Sequence, residues 1–148
     1  MQALPTAAIS IGCAPSMIER LDALTAYCEG WSKGDADMIR SAVADDYVWD
    51  DPAEARVSKD GLGSFLPKFK EAIDRVRGGC PSTPYLTLSN WVVDRSQLTT
   101  TVWCSFAVPG TDIQGMSQIR VSDKGVISEH RAYRTRPHVR CAGIRGKR

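Results

Sequence analysis

Two adjacent carboxylates and a proline close the stretch Tyr-Val-Trp-Asp-Asp-Pro at residues 47–52. Its aromatic and β-branched residues predict a short strand, and Pro52 predicts the turn that ends it. A carboxylate held at such a strand end is a candidate general base, because partial burial and a neighbouring carboxylate raise its pKa. Successive strand residues point to opposite faces, so we expect only one of Asp50 and Asp51 to face a pocket. The alternative is that both carboxylates only cap the turn.

His130 is a second candidate for acid–base chemistry, since imidazole titrates near neutral pH. It is one of two histidines and follows Glu129 in the predicted final strand. Strand alternation means that either His130 or the set Glu129, Arg131 and Tyr133 faces the interior. A bulge of one residue would reverse the choice, so the sequence leaves it open. We retain His130 as a catalytic candidate.

The chain before this first strand carries two helical patterns. One apolar face recurs at helical spacing, through Met17, Leu21, Leu24, Cys28 and Trp31. Tyr27 borders that face. Gly34 is a good helix stop, and Asp35 is a good N-cap for a second helix. The segment Ala44-Asp45-Asp46 predicts a break before the strand.

The chain after this strand predicts a loop over residues 52–59 and a third helix from near Asp60, bent or delayed by Pro67. Gly78-Gly79 ends that helix. Four strands follow, over residues 85–93, 98–108, 113–122 and 126–134. The order predicts an α+β fold, in which three N-terminal helices pack on a curved antiparallel sheet. A sheet bent round a helix can enclose a conical, largely apolar pocket.

Aromatic residues are the candidate lining of this pocket. Trp31 and Trp49 could contact an aromatic or polycyclic ligand, as could Cys104 and Phe106 if their strand face lines the cone. Trp103 lies on the opposite face of that strand. Because both faces carry apolar residues, we expect a homodimer that forms through the sheet.

Composition narrows the class of protein. The chain has 148 residues, of which 43% are hydrophobic and 24% charged, which fits one globular domain. The net charge of +2 gives no reason to expect nucleic acid. No apolar run approaches the roughly 20 residues that span a bilayer, so we expect no membrane contact. A small apolar substrate is the expected partner.

The five cysteines have no Cys-x-x-Cys pair and an odd count, so no disulfide framework or zinc site is predicted. This usage and the absence of a secretory pattern favour the cytoplasm. There is no glycine-rich phosphate loop and no ligand cluster, so we expect no cofactor and no metal.

Three segments divide the chain. We predict a leader over residues 1–15, a folded domain over 16–136 and a basic tail over 137–148. From Arg131 to Arg148 there are seven Arg or Lys residues and no acid. Such a run is typical of a solvated end, and the alternative is contact with an acidic partner.

Several runs resemble the ketosteroid isomerases and SnoaL-like polyketide cyclases of the nuclear-transport-factor-2-like (NTF2-like) superfamily. They are Ala-Tyr-Cys-Glu-Gly-Trp-Ser-Lys-Gly-Asp-Ala-Asp at residues 26–37, Ala-Asp-Asp at 44–46 and Asp-Asp-Pro at 50–52. The resemblance covers roughly residues 16–136. It implies a cone-shaped α+β barrel, a fold that hosts many functions.

The resemblance also implies roles for single residues. Asp51 before Pro52 matches the isomerase general base, and Tyr27 matches the tyrosine of its oxyanion hole. Ser117 stands where the isomerase has a protonated aspartic acid. A serine can donate a hydrogen bond, but the missing acid departs from the steroid isomerase pattern. In related cyclases and dehydratases His, Asp and Tyr act in the same cone, which would implicate His130 and Tyr133.

The sequence therefore predicts a cofactor-independent acid–base enzyme, an isomerase, cyclase, dehydratase or lyase. Its substrate would be a small apolar aromatic, polycyclic or carbonyl compound. Asp51 would be the base, Tyr27 an oxyanion donor and His130 a second acid or base. In a variant of this hypothesis, His130 is the main base and Asp51 orients it. The alternative from a different class is a non-catalytic module of the same fold, for small-ligand binding or dimerisation.

Overall fold

The computed structural model of the protein describes residues 15–52, 56–95 and 98–133. Apart from Pro15, the predicted leader lies outside these ranges, as does the whole predicted basic tail. Within the described ranges, no helix combines the length and the apolar character needed to cross a bilayer.

Three helices are present, namely α1 (Pro15–Lys33), α2 (Ala36–Ala42) and α3 (Leu62–Val76). Helix α1 stops at Gly34, whose φ of 65° lies in the left-handed region that glycine tolerates. The Asp35 carboxylate then accepts a hydrogen bond from the Met38 backbone N–H at 3.0 Å and caps α2. Helix α3 continues through Pro67.

Six strands form one curved, unclosed sheet against which the helices pack. They are β1 (Val43–Asp50), β2 (Arg56–Ser58), β3 (Thr87–Arg95), β4 (Thr100–Ala107), β5 (Gln114–Ser122) and β6 (Gly125–Tyr133). The strand order is β2-β1-β6-β5-β4-β3. All neighbours are antiparallel except β1 and β6, which run parallel. The α+β architecture with three helices on a curved, mostly antiparallel sheet is confirmed.

Two boundaries near the first strand were predicted wrongly. The segment Ala44-Asp45-Asp46 belongs to β1, which begins at Val43, and residues 56–58 form β2 and not a loop. Strand β2 alternates exposed, buried and exposed side chains, but three residues are too few to give a period-two signal. Burial of Val43 and Ala44 favours strand structure where the two aspartates alone suggested a break.

The parallel pairing of β1 with β6 determines which side chains meet. Trp49 stands opposite Glu129 in this register, and Asp50 stands opposite His130. Trp49 and Glu129 are completely buried on the inner face, beneath α1. Asp50 and His130 project from the outer face, where both side chains are partly exposed. The inner face of these two strands therefore carries the chemistry described next.

Candidate functional site

Glu129 is the centre of a buried polar network on the inner face of β6. Its side chain has 0% exposure. Its Oε1 accepts hydrogen bonds from Ser117 Oγ at 2.7 Å and from Arg131 Nε at 2.8 Å. Its Oε2 accepts from the Tyr27 hydroxyl at 2.5 Å. A buried carboxylate is very costly unless it is paired and hydrogen-bonded, and these three donors meet that need.

Two tyrosines continue the network into the helical layer. The hydroxyl oxygens of Tyr27 and Tyr47 lie 2.7 Å apart. Because Tyr27 gives its only hydroxyl hydrogen to Glu129, Tyr47 must be the donor to Tyr27. Burial, and then the charge of Glu129, raise the pKa of Tyr27 well above its usual value and also raise the pKa of Tyr47. Both phenols therefore stay protonated.

Arg131 carries the positive charge of the network. Its guanidinium carbon lies 5.0 Å from the ring centroid of Trp31, 4.9 Å from that of Trp49 and 5.0 Å from that of Phe106. Cation–π contacts of this kind stabilise a guanidinium that has lost its water. The side chain is 2% exposed. Among the described residues, its Nη2 has no hydrogen-bond partner.

The charge of Arg131 is maintained by its neighbours. Burial lowers the pKa of Arg131, but the nearby Glu129 carboxylate, Tyr133 and the Asp51 carboxylate together outweigh burial and raise it. The guanidinium therefore stays charged. It lies within electrostatic reach of two carboxylates, that of Glu129 on β6 and that of Asp51 just after β1.

Asp51 follows the last residue of β1 and is 3% exposed. Its Oδ2 accepts a hydrogen bond from the Tyr133 hydroxyl. The Tyr133 ring packs edge-on against Phe106, with ring centroids 5.4 Å apart and an interplanar angle of 88°. Tyr133 is itself only partly buried. It therefore forms the outer end of a polar seam, which consists of Tyr47, Tyr27, Ser117, Glu129, Arg131, Asp51 and Tyr133.

The structure brings most of the predicted site residues together between α1 and the inner face of the sheet. Buried side chains there include Tyr27, Trp31, Trp49, Asp51, Cys104, Phe106 and Ser117. Trp31 and Trp49 stack with centroids 5.5 Å apart. Asp50 and Asp51 lie on opposite faces, as strand alternation predicts. The Glu129, Arg131 and Tyr133 alternative for the final strand is therefore the one observed.

The sequence left the direction of His130 open, and the structure places this candidate on the outer face. Its side chain is 50% exposed on the outer face, with Nδ1 3.5 Å from Asp50 Oδ2. The physical reason is the register of β6, in which burial of Glu129 and Arg131 puts the residue between them outside. An imidazole there lies on the far side of the sheet from Asp51.

Two other predicted residues, Ser117 and Cys104, are buried in roles that leave them no direct part in the chemistry. The Ser117 hydroxyl donates to Glu129 and so is not directed at open space. Burial, and then the Glu129 charge, raise the pKa of the Cys104 thiol to about 12. Cys104 therefore stays a neutral thiol and contributes apolar surface.

Glu129, Arg131 and Tyr47 were not assigned as site residues from the sequence. One signal was available for Tyr47, because residues 47, 49 and 51 alternate onto one face of the strand. A second signal was the Glu-x-Arg spacing at residues 129–131, which places two opposite charges on one strand face. A carboxylate in a strand is ordinarily solvated, so this spacing alone does not predict a buried pair.

The seam combines groups that can transfer a proton and groups that can stabilise charge. A buried carboxylate beside a partly buried phenol supports proton transfer, and a buried guanidinium supports developing negative charge. The described ranges contain no group of three His, Cys, Asp or Glu side chains placed to hold a metal ion.

The chain belongs to the SnoaL-like domain family, whose model matches residues 24–130. The match runs from α1 to the middle of β6 and so contains Tyr27, Asp51, Ser117 and Glu129. The predicted membership of the SnoaL-like family is confirmed. A search of functionally curated proteins found no match.

Solved structures share the fold at low identity. An NTF2-like protein with a cystatin-like fold from Novosphingobium aromaticivorans is 14% identical, with a TM-score of 0.64 over 93% of this chain and 94% of that chain. A cystatin-like fold protein from Burkholderia xenovorans is 14% identical, with a TM-score of 0.57 over 83% and 95%. TerC, co-crystallised with polyporic acid, is 16% identical, with a TM-score of 0.55 over 78% and 91%. At such identity, the likeness establishes the fold alone.

Proposed function

We propose that the protein is a cofactor-independent acid–base enzyme that removes a proton next to an activating carbonyl group. Isomerisation, cyclisation, dehydration or bond cleavage would follow from that step. The observation that carries the proposal is the buried Asp51 carboxylate, which lies beside Tyr133 at the outer end of the polar seam and within electrostatic reach of Arg131.

Asp51 is the proposed general base. A base must come within hydrogen-bond distance of the proton that it takes. Asp51 Oδ2 already accepts a hydrogen bond, from Tyr133, so an acceptor position exists at the partly exposed end of the seam. A substrate would take the place of the Tyr133 hydroxyl there and give its proton to Asp51. At the end of the cycle Tyr133 would give its hydroxyl proton to the product and take the proton held by Asp51, which restores both groups.

Tyr27 is proposed as a positioning residue and not as the oxyanion donor suggested by family resemblance. Its hydroxyl hydrogen is given to Glu129, and its side chain has no exposed surface. Together with Ser117, it fixes the Glu129 carboxylate, which in turn fixes Arg131 Nε. The two residues would therefore act on the reaction through the placement of Arg131.

The proposed substrate is a small apolar aromatic, polycyclic or carbonyl compound. Trp31, Trp49 and Phe106 supply ring surfaces around Arg131, and rings of this kind favour flat apolar ligands. Polyporic acid, which was crystallised with TerC, is a reasonable member of a first ligand panel.

Ligand binding without turnover is the second candidate function. It is favoured by the complete burial of Glu129, Tyr27 and Trp49, since a buried hydrogen-bonded network also serves simply to hold a fold rigid. The two functions share the aromatic surfaces and differ in whether Asp51 transfers a proton.

Hydrogen–deuterium exchange at carbon separates the two. Wild-type protein is incubated in D₂O with 2-tetralone, 1-indanone and dibenzoylmethane, and loss of the proton signals next to the carbonyl is followed by NMR. Acceleration by the wild type that is lost in Asp51→Asn is the expected result. If none of the three compounds exchanges faster with wild type than with Asp51→Asn, the enzyme proposal fails. A rise in melting temperature with the same compounds would then favour the binding module.

We also propose that the protein is a homodimer associated through the outer face of the sheet. Val92 and Trp103 stand opposite each other on β3 and β4, and both are exposed, as is Met116 on β5. Three neighbouring strands therefore present large apolar side chains to solvent, and such patches commonly mark interfaces.

A cytoplasmic location is proposed from the cysteines. Cys28, Cys80 and Cys104 lie in the described ranges, and all three are free thiols. Unpaired cysteines are typical of reducing compartments.

A further inference from the structure

We infer that Arg131 is the group that binds and polarises the substrate oxygen, through its Nη2 N–H, and that the substrate is a neutral carbonyl compound. This inference rests on the proposed function, since it gives the counterpart to Asp51. Arg131 thus takes the role of oxyanion donor that the family resemblance implied for Tyr27 and Ser117.

The first argument is an inventory of donors. The hydroxyls of Tyr27 and Ser117 both donate to Glu129. The hydroxyl of Tyr133 donates to Asp51. Arg131 Nη2 is buried and lacks a hydrogen-bond partner among the described residues, as do the ring nitrogens of Trp31 and Trp49. Of these three donors, only Arg131 Nη2 belongs to a charged group. Leaving a buried donor unpaired is costly, so such a group calls for an acceptor that arrives with a ligand.

The second argument is rigidity. Glu129 holds Arg131 Nε at 2.8 Å, and three aromatic rings lie within 5.0 Å of the guanidinium carbon. The N–H groups of Arg131 Nη2 therefore have a fixed direction before any ligand arrives. Donors that need no reorganisation during the reaction stabilise developing charge most effectively.

The third argument is charge balance, which selects the substrate class. Before reaction, the Glu129 and Asp51 carboxylates and the Arg131 guanidinium sum to one negative charge. When a neutral carbonyl substrate reacts, the C–H bond breaks and its proton bonds to an Asp51 oxygen. The C–H electron pair forms the new C=C bond, and the C=O π pair moves to the oxygen at Arg131. The enolate is negative and Asp51 is now neutral, so the net charge is unchanged.

An anionic ligand breaks this balance. A carboxylate placed at Arg131 would add a second excess negative charge to a buried region that already holds Glu129 and Asp51, which is unfavourable at low dielectric. Wild-type protein at pH 8 is therefore expected to bind neutral 2-acetylnaphthalene at least about tenfold more tightly than 2-naphthoate, a difference of ~1.4 kcal/mol. Equal affinity or preference for 2-naphthoate would contradict the neutral-substrate inference.

The role of Arg131 is tested with 2-naphthol, whose absorption and fluorescence distinguish the neutral and ionised forms. The titration uses Asp51→Asn, so that no carboxylate at position 51 competes for the proton. The pKa of bound 2-naphthol is compared with that in the same variant carrying Glu129→Gln and Arg131→Gln. Removing both partners avoids leaving Glu129 as an unpaired buried charge. We expect the pKa to be lower by about 1–3 when Arg131 is present.

The outcomes are distinct. Equal pKa values of bound 2-naphthol in the two proteins would overturn the role of Arg131, since a merely structural arginine would not change the ionisation of a ligand. Failure of 2-naphthol to bind would overturn it as well, because the inference requires an aromatic oxygen ligand to fit there. Arg131→Lys in the Asp51→Asn background should give bound 2-naphthol a pKa between those two values. Lysine keeps the positive charge but lacks the planar, two-pronged donor geometry of arginine.

Failure of this inference is distinguishable from failure of the proposed function. 2-Naphthol requires no turnover, so its titration reports on Arg131 even in a protein without catalysis. Carbon exchange that depends on Asp51 but not on Arg131 would keep the enzyme proposal and remove the role of Arg131.

Discussion

Arg131 Nε donates a 2.8 Å hydrogen bond to Oε1 of Glu129, two residues earlier on the same face of β6, and the two side chains are 2% and 0% exposed. This pair puts opposite charges in the interior of a small domain. Each charge is tolerable only because the other is present. This contact within one strand therefore contributes both to the stability of the fold and to the placement of the guanidinium.

Removing one member of the pair should be severe. Glu129→Leu leaves Arg131 charged and buried, and we expect it to lower the free energy of unfolding by about 3–5 kcal/mol, as is usual when a buried pair is broken. Urea denaturation followed by circular dichroism measures the loss. The matched control is Glu71→Leu, which breaks an exposed pair with Arg75 on α3 and should cost at most about 1 kcal/mol. Similar losses for both variants would contradict the buried-pair account.

The Tyr27 hydroxyl should contribute more than the Tyr47 hydroxyl. Tyr27→Phe removes a donor to a buried carboxylate, and we expect a loss of about 1.5–3 kcal/mol, the range for hydrogen bonds to charged groups. Tyr47→Phe removes a bond between two neutral phenols and should cost only about 0.5–1.5 kcal/mol. The same denaturation experiment orders the two. The reverse order would mean that the hydrogen bonds run in the other direction.

Stability should fall at alkaline pH in part through Cys104. Burial raises the pKa of this thiol from its usual 9.0 to about 12. The folded state therefore favours the neutral thiol, and the stabilisation is fully present below pH 9 and is lost as the pH rises toward 12. Between these two pH values, this one thiol lowers the free energy of unfolding by up to about 1.4 kcal/mol per pH unit.

Cys104→Ala should therefore flatten the fall in unfolding free energy between pH 9 and 11, whatever the variant costs at neutral pH. Cys80→Ala changes an exposed cysteine and serves as the control. An unchanged slope in Cys104→Ala would show that ionisation of this thiol is not linked to unfolding.

Association through the outer face of the sheet is tested by charge. Trp103→Glu places a carboxylate in the exposed apolar patch, and we expect the wild-type dimer to become a monomer in sedimentation velocity. Lys68→Glu, on the exposed side of α3, should leave the dimer intact. A wild type that sediments as a monomer, or a Trp103→Glu variant that remains a dimer, would exclude this interface.

The sequence predicted the parts of the fold that local pattern decides. Helical spacing located α1. Strand alternation put Asp50 and Asp51 on opposite faces, and the family resemblance selected Asp51 as the one facing inward. The direction of His130 could not be obtained this way, because the face of β6 depends on its parallel pairing with β1, which is distant in the chain. The burial of Glu129 could not be predicted from the sequence either. The free-energy cost of burying its charge is offset by Tyr27, Ser117 and Arg131, which come from three different elements.

The most direct test of the central claim compares Asp50, the last residue of β1, with Asp51, which follows it. Rates of carbon-bound deuterium exchange of the best responding ketone are measured for wild type, Asp51→Asn and Asp50→Asn. We expect Asp51→Asn to reduce the enzymatic rate by about 10²–10⁴-fold, the usual contribution of a general base, while Asp50→Asn stays close to wild type. Equal rates in the two variants would contradict the assignment of Asp51 as the base.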